Sequence, residues 1–152
     1  MTLLVLEVVI PSYKELQIGN TLQILQNRIP SFIGLVVSFM VTALYWIAHM
    51  RIIKYVSTID TKVLWYNIGL LFFIVLLPFS TAFYVKGFML EGPFAFYCFN
   101  LSAIGFFNYL LNVYIPKKEK GKTGVTPSLA KYFKIRALNA FIIWALAGFL
   151  AF

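Results

Sequence analysis

The side chains able to carry out chemistry are few in this sequence of 152 residues, which contains one histidine, His49, and one cysteine, Cys98. A single cysteine permits no internal disulfide, and one cysteine with one histidine supplies too few ligands for a zinc or iron–sulfur site within one chain. No Ser, Cys or carboxylate partner for His49 is evident at matching depth, as nucleophilic catalysis would require. We therefore expect no catalytic residue, no metal site and no cofactor, and hence no enzyme.

The polar residues that interrupt apolar stretches are more informative. His49 follows Trp46, and Asn67 follows Trp65. His49 and Asn67 are expected at similar depth on neighbouring antiparallel helices. The histidine is either an interfacial residue beside a belt of aromatic side chains, or a hydrogen-bond anchor that works with the Asn67 amide to fix the end of another helix. The residues alone leave both interpretations open.

Three asparagines, Asn100, Asn108 and Asn112, lie in a later apolar stretch. The last two are four residues apart and therefore share one helix face. Hydrogen bonds between helices are their expected role. Cys98 is expected to be a small buried apolar side chain.

The start of the chain has a mostly apolar stripe of residues along one face of a predicted helix. Thr2, Leu3, Leu6 and Ile10 fall on one side of a helix, and Glu7 falls on another. In a single helix such a stripe usually packs against a core or against lipid. Glu7 is expected to be a solvated carboxylate near the membrane surface.

The composition indicates the kind of protein in which these residues lie. The sequence is 61% hydrophobic and only 12% charged. A soluble domain carries about 25% charged residues, so the chain is predicted to be a membrane protein. A net charge of +8 does not indicate nucleic-acid binding, because the basic residues border apolar runs, as on the cytoplasmic face of a membrane protein.

Three runs without Asp, Glu, Lys or Arg are long enough to cross a bilayer as helices: Ile29–Met50, Val63–Val85 and Gly92–Pro116. Both ends of the chain are shorter apolar stretches, so the chain is expected to begin and end within a helix. The prediction is one all-α transmembrane domain, 1–152, with about five helices, of which the first and last are incomplete. Their expected bounds are about 1–10, 30–54, 62–86, 92–115 and 136–152. Residues 11–30 are too polar to span and are expected to form an interfacial turn or short helix.

The basic residues also predict the orientation. Ten of the thirteen lie in the two loops that follow the second and fourth apolar segments. Because cytoplasmic loops are enriched in Lys and Arg, both loops are predicted to be cytoplasmic. The N-terminus is then cytoplasmic as well, in a multi-pass integral membrane protein.

Four motifs, taken in order, resemble a known family. They are Thr-Leu-Leu-Val-Leu-Glu at 2–7, Tyr-Trp-Ile-Ala-His at 45–49, Leu-Trp-Tyr-Asn at 64–67 and Leu-Pro-Phe-Ser-Thr at 77–81. Over roughly residues 1–85, the sequence resembles the prokaryotic branch of the transmembrane protein 175 family of potassium channels. The resemblance implies potassium transport across the bacterial plasma membrane by a homotetramer with six helices in each subunit.

The resemblance also implies roles for single residues. In the family, the first helix of each subunit lines a central potassium path with apolar constrictions, and Thr2, Leu3 and Leu6 match its pore-facing positions. Thr2 matches a threonine layer implicated in selectivity. A polar and aromatic cluster that holds this helix is matched by Trp46, His49, Trp65 and Asn67. The implied ligand is the permeant potassium ion.

The sequence departs from the family in its two ends. The family's signature, an Arg followed by Phe-Ser-Asp early in the first helix, is not in this sequence, and neither is a sixth helix. The chain is thus expected to be a family member truncated at both ends. Two hypotheses follow: a potassium-favouring cation channel subunit, or a non-conducting membrane fragment or accessory subunit.

Overall fold

A computed structural model of the protein describes residues 21–119 and 125–151, and these form four long helices. The helices are α1, Thr21–Ile53; α2, Thr61–Lys86; α3, Glu91–Lys118; and α4, Pro127–Phe149. No strand occurs in the described ranges. Each helix is long and apolar enough to cross a membrane. The prediction of an all-α transmembrane bundle is confirmed.

The bundle is organised around α3, which packs along α2 on one side and α4 on the other. α1 packs mainly against α2 and more lightly against α3. The core between α2 and α3 is formed by large aliphatic side chains, among them Leu70, Leu77, Leu101, Ile104 and Leu111. Outward-facing positions are also apolar, as expected of helices whose solvent is lipid. Examples are Phe39 and Met40 on α1 and Ile143 and Phe149 on α4.

The start of α1 differs from the sequence-based expectation. A turn or short interfacial helix was expected up to residue 30, and the membrane helix only from there. Instead, α1 begins at Thr21 and continues through Pro30. Pro30 lacks the N–H that would bond the carbonyl of Gln26. Gln26 is exposed, so water can satisfy that carbonyl and the helix need not end.

α2 begins one residue before its predicted start, because Asp60 caps it. The Asp60 carboxylate accepts a hydrogen bond from the backbone N–H of Val63 at 3.0 Å, which satisfies one of the free N–H groups of the first turn. Pro78 lies inside the helix. Close to it, the hydroxyls of Ser80 and Thr81 donate to the carbonyl of Leu77 at 3.0 and 2.8 Å.

α4 begins nine residues before its predicted start at 136. Thr126 is its N-cap, accepting from the N–H of Leu129 at 3.3 Å, and Pro127 occupies the first turn, where proline costs no hydrogen bond. The basic residues of the first turns do not prevent helix formation, because their long side chains are exposed and reach water. These residues are Lys131, Lys134 and Arg136.

The small residues of α3 and α4 allow the two helices to approach closely. Gly105 of α3 is buried, and a Cβ placed on it would lie 3.0 Å from the backbone N and Cα of Phe141. Cys98 is fully buried, and a Cβ on Gly148 would lie 3.0 Å from the Cβ of this cysteine. Small residues at such contacts are typical of helix packing in membranes.

Candidate functional site

The predicted pore-facing residues Thr2, Leu3 and Leu6 lie outside the described residues, as does Glu7. The other predicted site residues, Trp46, His49, Trp65 and Asn67, lie where α1 and α2 approach the loop 54–60. His49 is four residues before the end of α1, and Asn67 is six residues after the start of α2. At 1.5 Å per residue these positions are about 6 and 9 Å from the helix ends, so both lie at similar depth.

His49 is buried, with 5% of its surface exposed. It lies one turn before the fully buried Ile52, on the inner face of α1. Asn67 is half-buried, one turn after Val63 and one turn before Leu70, which are both buried core residues of α2. Both polar side chains therefore occupy inward-facing positions of their helices.

Three polar atoms in this region are buried without a hydrogen-bond partner. They are Nδ1 of His49, Oδ1 of Asn67 and Oγ1 of Thr42, the last being two turns before His49 on the same helix. Leaving such an atom unpaired costs about 1–3 kcal/mol, and nearly all buried polar groups in proteins are paired. These atoms thus mark a place suited to additional polar groups.

The two tryptophans of the predicted cluster are exposed. Trp46 is 48% exposed, and its ring contacts the imidazole of His49 at a centroid distance of 5.7 Å. Trp65 is 64% exposed. The structure thus brings Trp46 to His49, whereas Trp65 faces outward, where indoles commonly occupy the interface between membrane and water.

A polar link at the same end of the bundle was not predicted. Ser57 donates to the Glu119 carboxylate twice, through its backbone N–H at 3.2 Å and its hydroxyl at 2.6 Å. The Tyr114 hydroxyl donates to Asp60 at 2.6 Å. Lys118 donates to the carbonyl of Thr58. These bonds attach the loop 54–60 to the end of α3.

Lys118 also lies between the two carboxylates of this link. Its Nζ is 3.7 Å from Asp60 and 3.8 Å from Glu119. Of the residues in this link, only Asp60 had a signal in the sequence, because an Asp immediately before an apolar run is typical of the start of a helix. Nothing in the sequence connects Ser57 to Glu119.

Hydrogen bonding favours the ionised form of both carboxylates. The bond from the Tyr114 hydroxyl, followed by that from the Val63 N–H, lowers the pKa of Asp60 below its ordinary 3.8. The Ser57 hydroxyl is the main cause that lowers the pKa of Glu119 below its ordinary 4.5. Both groups are therefore anionic hydrogen-bond acceptors at neutral pH.

The asparagines of α3 are divided between two kinds of bond. Asn100 donates to the Ser80 hydroxyl of α2 at 2.9 Å, which is the expected bond between helices. Asn112 instead donates within α3, to the backbone carbonyl and side-chain oxygen of Asn108 at 2.7 and 3.0 Å. The expectation is thus right for Asn100 and wrong for these bonds of Asn112.

Comparison with known proteins decides the family. A family model described as "Endosomal/lysosomal potassium channel TMEM175" matches residues 1–78, just over half of the chain. The chain belongs to the TMEM175 family. The match spans the N-terminal segment, α1 and most of α2, and so contains all seven residues predicted to line the pore or hold its helix. The resemblance stated from the sequence motifs is confirmed.

Several bacterial proteins of known sequence are similar to this TMEM175 family member. A potassium channel of Chryseobacterium sp. (strain P1-3) is 29% identical over 140 residues, which cover 89% of this chain and 69% of that protein. Potassium channels of Chamaesiphon minutus and Streptomyces collinus are 32% and 30% identical over 82 residues. These two alignments cover 54% of this chain and 40% and 39% of the relatives. No solved structure matches the chain significantly.

Proposed function

We propose that this chain is a subunit of a potassium-favouring cation channel, in which four copies surround a pore lined by the N-terminal segment. The observation that carries the proposal is the family match over residues 1–78, because it includes that segment. The bacterial relatives named as potassium channels support the same function. Family membership and four apolar helices make the chain an integral multi-pass membrane protein.

The proposed pore residues suit ion conduction without covalent chemistry. Rings of Leu3 and Leu6 would form apolar constrictions, which gate by excluding water. A ring of Thr2 hydroxyls would replace part of the hydration shell of an ion. No cofactor is required beyond the permeant potassium ion.

The need for several copies follows from the packing of the described helices. Their interior is an apolar core formed by α2 and α3, and one apolar stripe cannot enclose a water-filled path. Head-to-tail contacts between identical subunits close into a ring when the rotation permits. A homotetramer would place four N-terminal segments around one axis.

The unpaired polar atoms support the proposed anchoring of the pore helix. His49 Nδ1 and Asn67 Oδ1 are buried at the end of the bundle where the family's anchoring cluster is expected, and Thr42 Oγ1 is buried two helical turns further into the bundle on α1. Polar side chains from the pore helix would satisfy them and fix that helix upright. Trp46, in contact with the imidazole, would hold the ring in place.

The proposed orientation places the basic loops and the N-terminus in the cytoplasm. The surface formed by the end of α1, the start of α2, the end of α3 and the start of α4 contains most of the described basic residues. Because positive residues favour the cytoplasmic side, this surface would face the cytoplasm of a bacterial plasma membrane.

Potassium flux from liposomes tests the function. The purified full chain, shown to be a tetramer by native mass spectrometry, is expected to release potassium faster than sodium down matched gradients. No flux from a folded tetramer would overturn the proposal and favour the alternative, a non-conducting fragment or accessory subunit.

Cysteine accessibility tests the pore position separately. In a Cys98→Ala background, Leu6→Cys is expected to react with a water-soluble thiol reagent, and the reaction should block flux. Phe39→Cys is the matched control, because Phe39 is 65% exposed on the apolar outside of α1. Flux that persists after complete modification of Leu6→Cys would remove this segment from the pore.

A further inference from the structure

A groove of about 280 Å³ lies between α1 and α4, with α3 as its floor. α3 and α4 pack closely, whereas α1 packs mainly on α2, which leaves a gap between α1 and α4 in the part of the chain that the structure describes. The walls are formed by apolar side chains, including Val41 and Leu44 of α1 and Ala140 and Trp144 of α4. The volume is near the lower end of the roughly 300–1,000 Å³ typical of ligand pockets.

One end of the groove is basic. Arg51 of α1 and Arg136 of α4 both line it and both are exposed. Within residues 21–119 and 125–151, no Asp or Glu lines the groove and the ion pairs all involve Lys118. Two guanidinium groups without a carboxylate partner in that part of the chain therefore flank one opening, a geometry suited to a phosphate group.

The length of the groove matches one leaflet of a bilayer. Val41 is ten residues before Arg51, and Trp144 is eight residues after Arg136. These separations correspond to about 15 and 12 Å along the helices, or about half of the roughly 30 Å hydrocarbon core. A groove with a basic opening at the membrane surface and an apolar end near the midplane has the polarity and length of a single phospholipid.

The floor of the groove also provides polar groups. Asn108 and Asn112 of α3 both line it. Asn112 is six residues, or about 9 Å, from the end of α3. These two side chains are the polar part of a groove whose walls are mostly apolar.

We propose that this groove binds one anionic phospholipid of the leaflet adjacent to the basic loops. The phosphate lies between Arg51 and Arg136, and an acyl chain lies along Leu44, Ala140 and Trp144. Basic pockets between transmembrane helices are known to bind anionic headgroups on the cytoplasmic side. The proposal does not depend on ion conduction, because it rests only on the groove and on the membrane placement of the helices.

Quenching of Trp144 fluorescence by brominated lipids tests the proposal. Trp46→Phe and Trp65→Phe leave Trp144 as the single tryptophan of the full chain. This protein is reconstituted in phosphatidylcholine bilayers that contain either brominated phosphatidylglycerol or brominated phosphatidylcholine. Two basic residues near the surface are expected to favour phosphatidylglycerol about 25-fold, or about fivefold for each arginine.

Paired charge variants distinguish a site from general attraction to the surface. Arg51→Gln with Arg136→Gln should abolish the preference for phosphatidylglycerol. Lys54→Gln with Lys134→Gln removes the same charge from exposed residues that do not line the groove and should retain most of the preference. An equal loss in both pairs would overturn the proposal, as would equal quenching by the two lipids before any charge is removed.

A groove-filling variant keeps the test decisive if the arginine pair fails to fold. Ala140→Phe fills the apolar half and leaves both arginines in place, and it is expected to reduce quenching by both brominated lipids severalfold. If neither brominated lipid quenches Trp144 in the protein that retains Ala140, another helix or a second copy covers the groove. That result would also overturn the proposal.

Discussion

Ser57 and Glu119 are 62 residues apart in the sequence and are joined by two hydrogen bonds, of 3.2 and 2.6 Å. The Glu119 residue is 2% exposed, so its carboxylate depends on the loop 54–60 for solvation. The loop depends equally on Glu119, because that carboxylate accepts the backbone N–H of Ser57. The pair therefore couples the connection between α1 and α2 to the end of α3.

A double-mutant cycle on this pair is the first prediction. Ser57→Ala removes one bond and should lower the Tm in detergent by a few degrees. Glu119→Ala should lower it further, because the Ser57 N–H also loses its acceptor. The double variant should be less destabilised than the sum of the two, since contacting residues couple. Thr61→Ala, at an exposed residue next to the loop, is the control and should leave the Tm nearly unchanged; additive effects of the pair would show that the bonds do not form.

The second prediction concerns acid. The pKa values of Asp60 and Glu119 are lowered in the folded protein, so the unfolded chain binds more protons in acid. The free energy of unfolding must therefore decrease as the pH is lowered. The contribution of both groups is complete above their ordinary values of 3.8 and 4.5, and it is lost as the pH falls through the lowered values. Thermal melts of the parent and of Asp60→Asn with Glu119→Gln should differ at neutral pH and converge in acid. A constant difference at every pH would contradict the assignment.

The third prediction tests the anchor at His49 in the assembled protein. His49→Leu should destabilise it by about 1–3 kcal/mol, because an apolar side chain leaves the polar partner proposed on the pore helix unpaired. His49→Gln should cost less than His49→Leu or His49→Ala, since only glutamine retains hydrogen-bonding groups. Met50→Leu, at a neighbour that is 48% exposed, is the control. If His49→Leu is as stable as the parent, no partner exists, because apolar replacement of an unpaired polar group is neutral or favourable.

The fourth prediction compares two glycines of α3. Gly105→Ala places a methyl group 3.0 Å from the backbone of Phe141, and it should destabilise the bundle by about 1–3 kcal/mol by separating α3 from α4. Gly92→Ala meets nothing within 4 Å, and it should be neutral or stabilising by up to about 1 kcal/mol. Chemical denaturation in mixed micelles measures both; equal stabilities would exclude the close approach of the helices.

Much of the fold is predictable from the sequence, because a helix that crosses lipid needs a long run of apolar residues. α2 was expected at 62–86 and is found at Thr61–Lys86, since charged residues border its apolar run. The same criterion, a long apolar run bordered by polar or charged residues, places the starts of α1 and α4 too late. It takes each polar or basic residue as the end of a helix. An exposed Gln26 or Lys131, however, can reach water while its backbone remains helical.

The candidate site is less predictable. The similar depth of His49 and Asn67 follows from counting residues to the loop, and their inward positions agree with the periodicity of buried neighbours. The bonds of Ser57 and Asp60 to α3 could not be predicted, because they depend on where the end of α3 lies relative to a loop that precedes it by some 60 residues. No local pattern encodes that placement.

The position of α1 at the edge of the bundle has a mechanical consequence. Among the residues that the structure describes, α1 packs mainly along α2 and only lightly on α3, so these contacts can separate one helical turn at a time. A force applied to the first turn of α1 would therefore separate it from α2 gradually. The separation would then stop at the loop 54–60. There the hydrogen bonds of Ser57 to Glu119 and of Tyr114 to Asp60 must break before α2 and α3 can unfold.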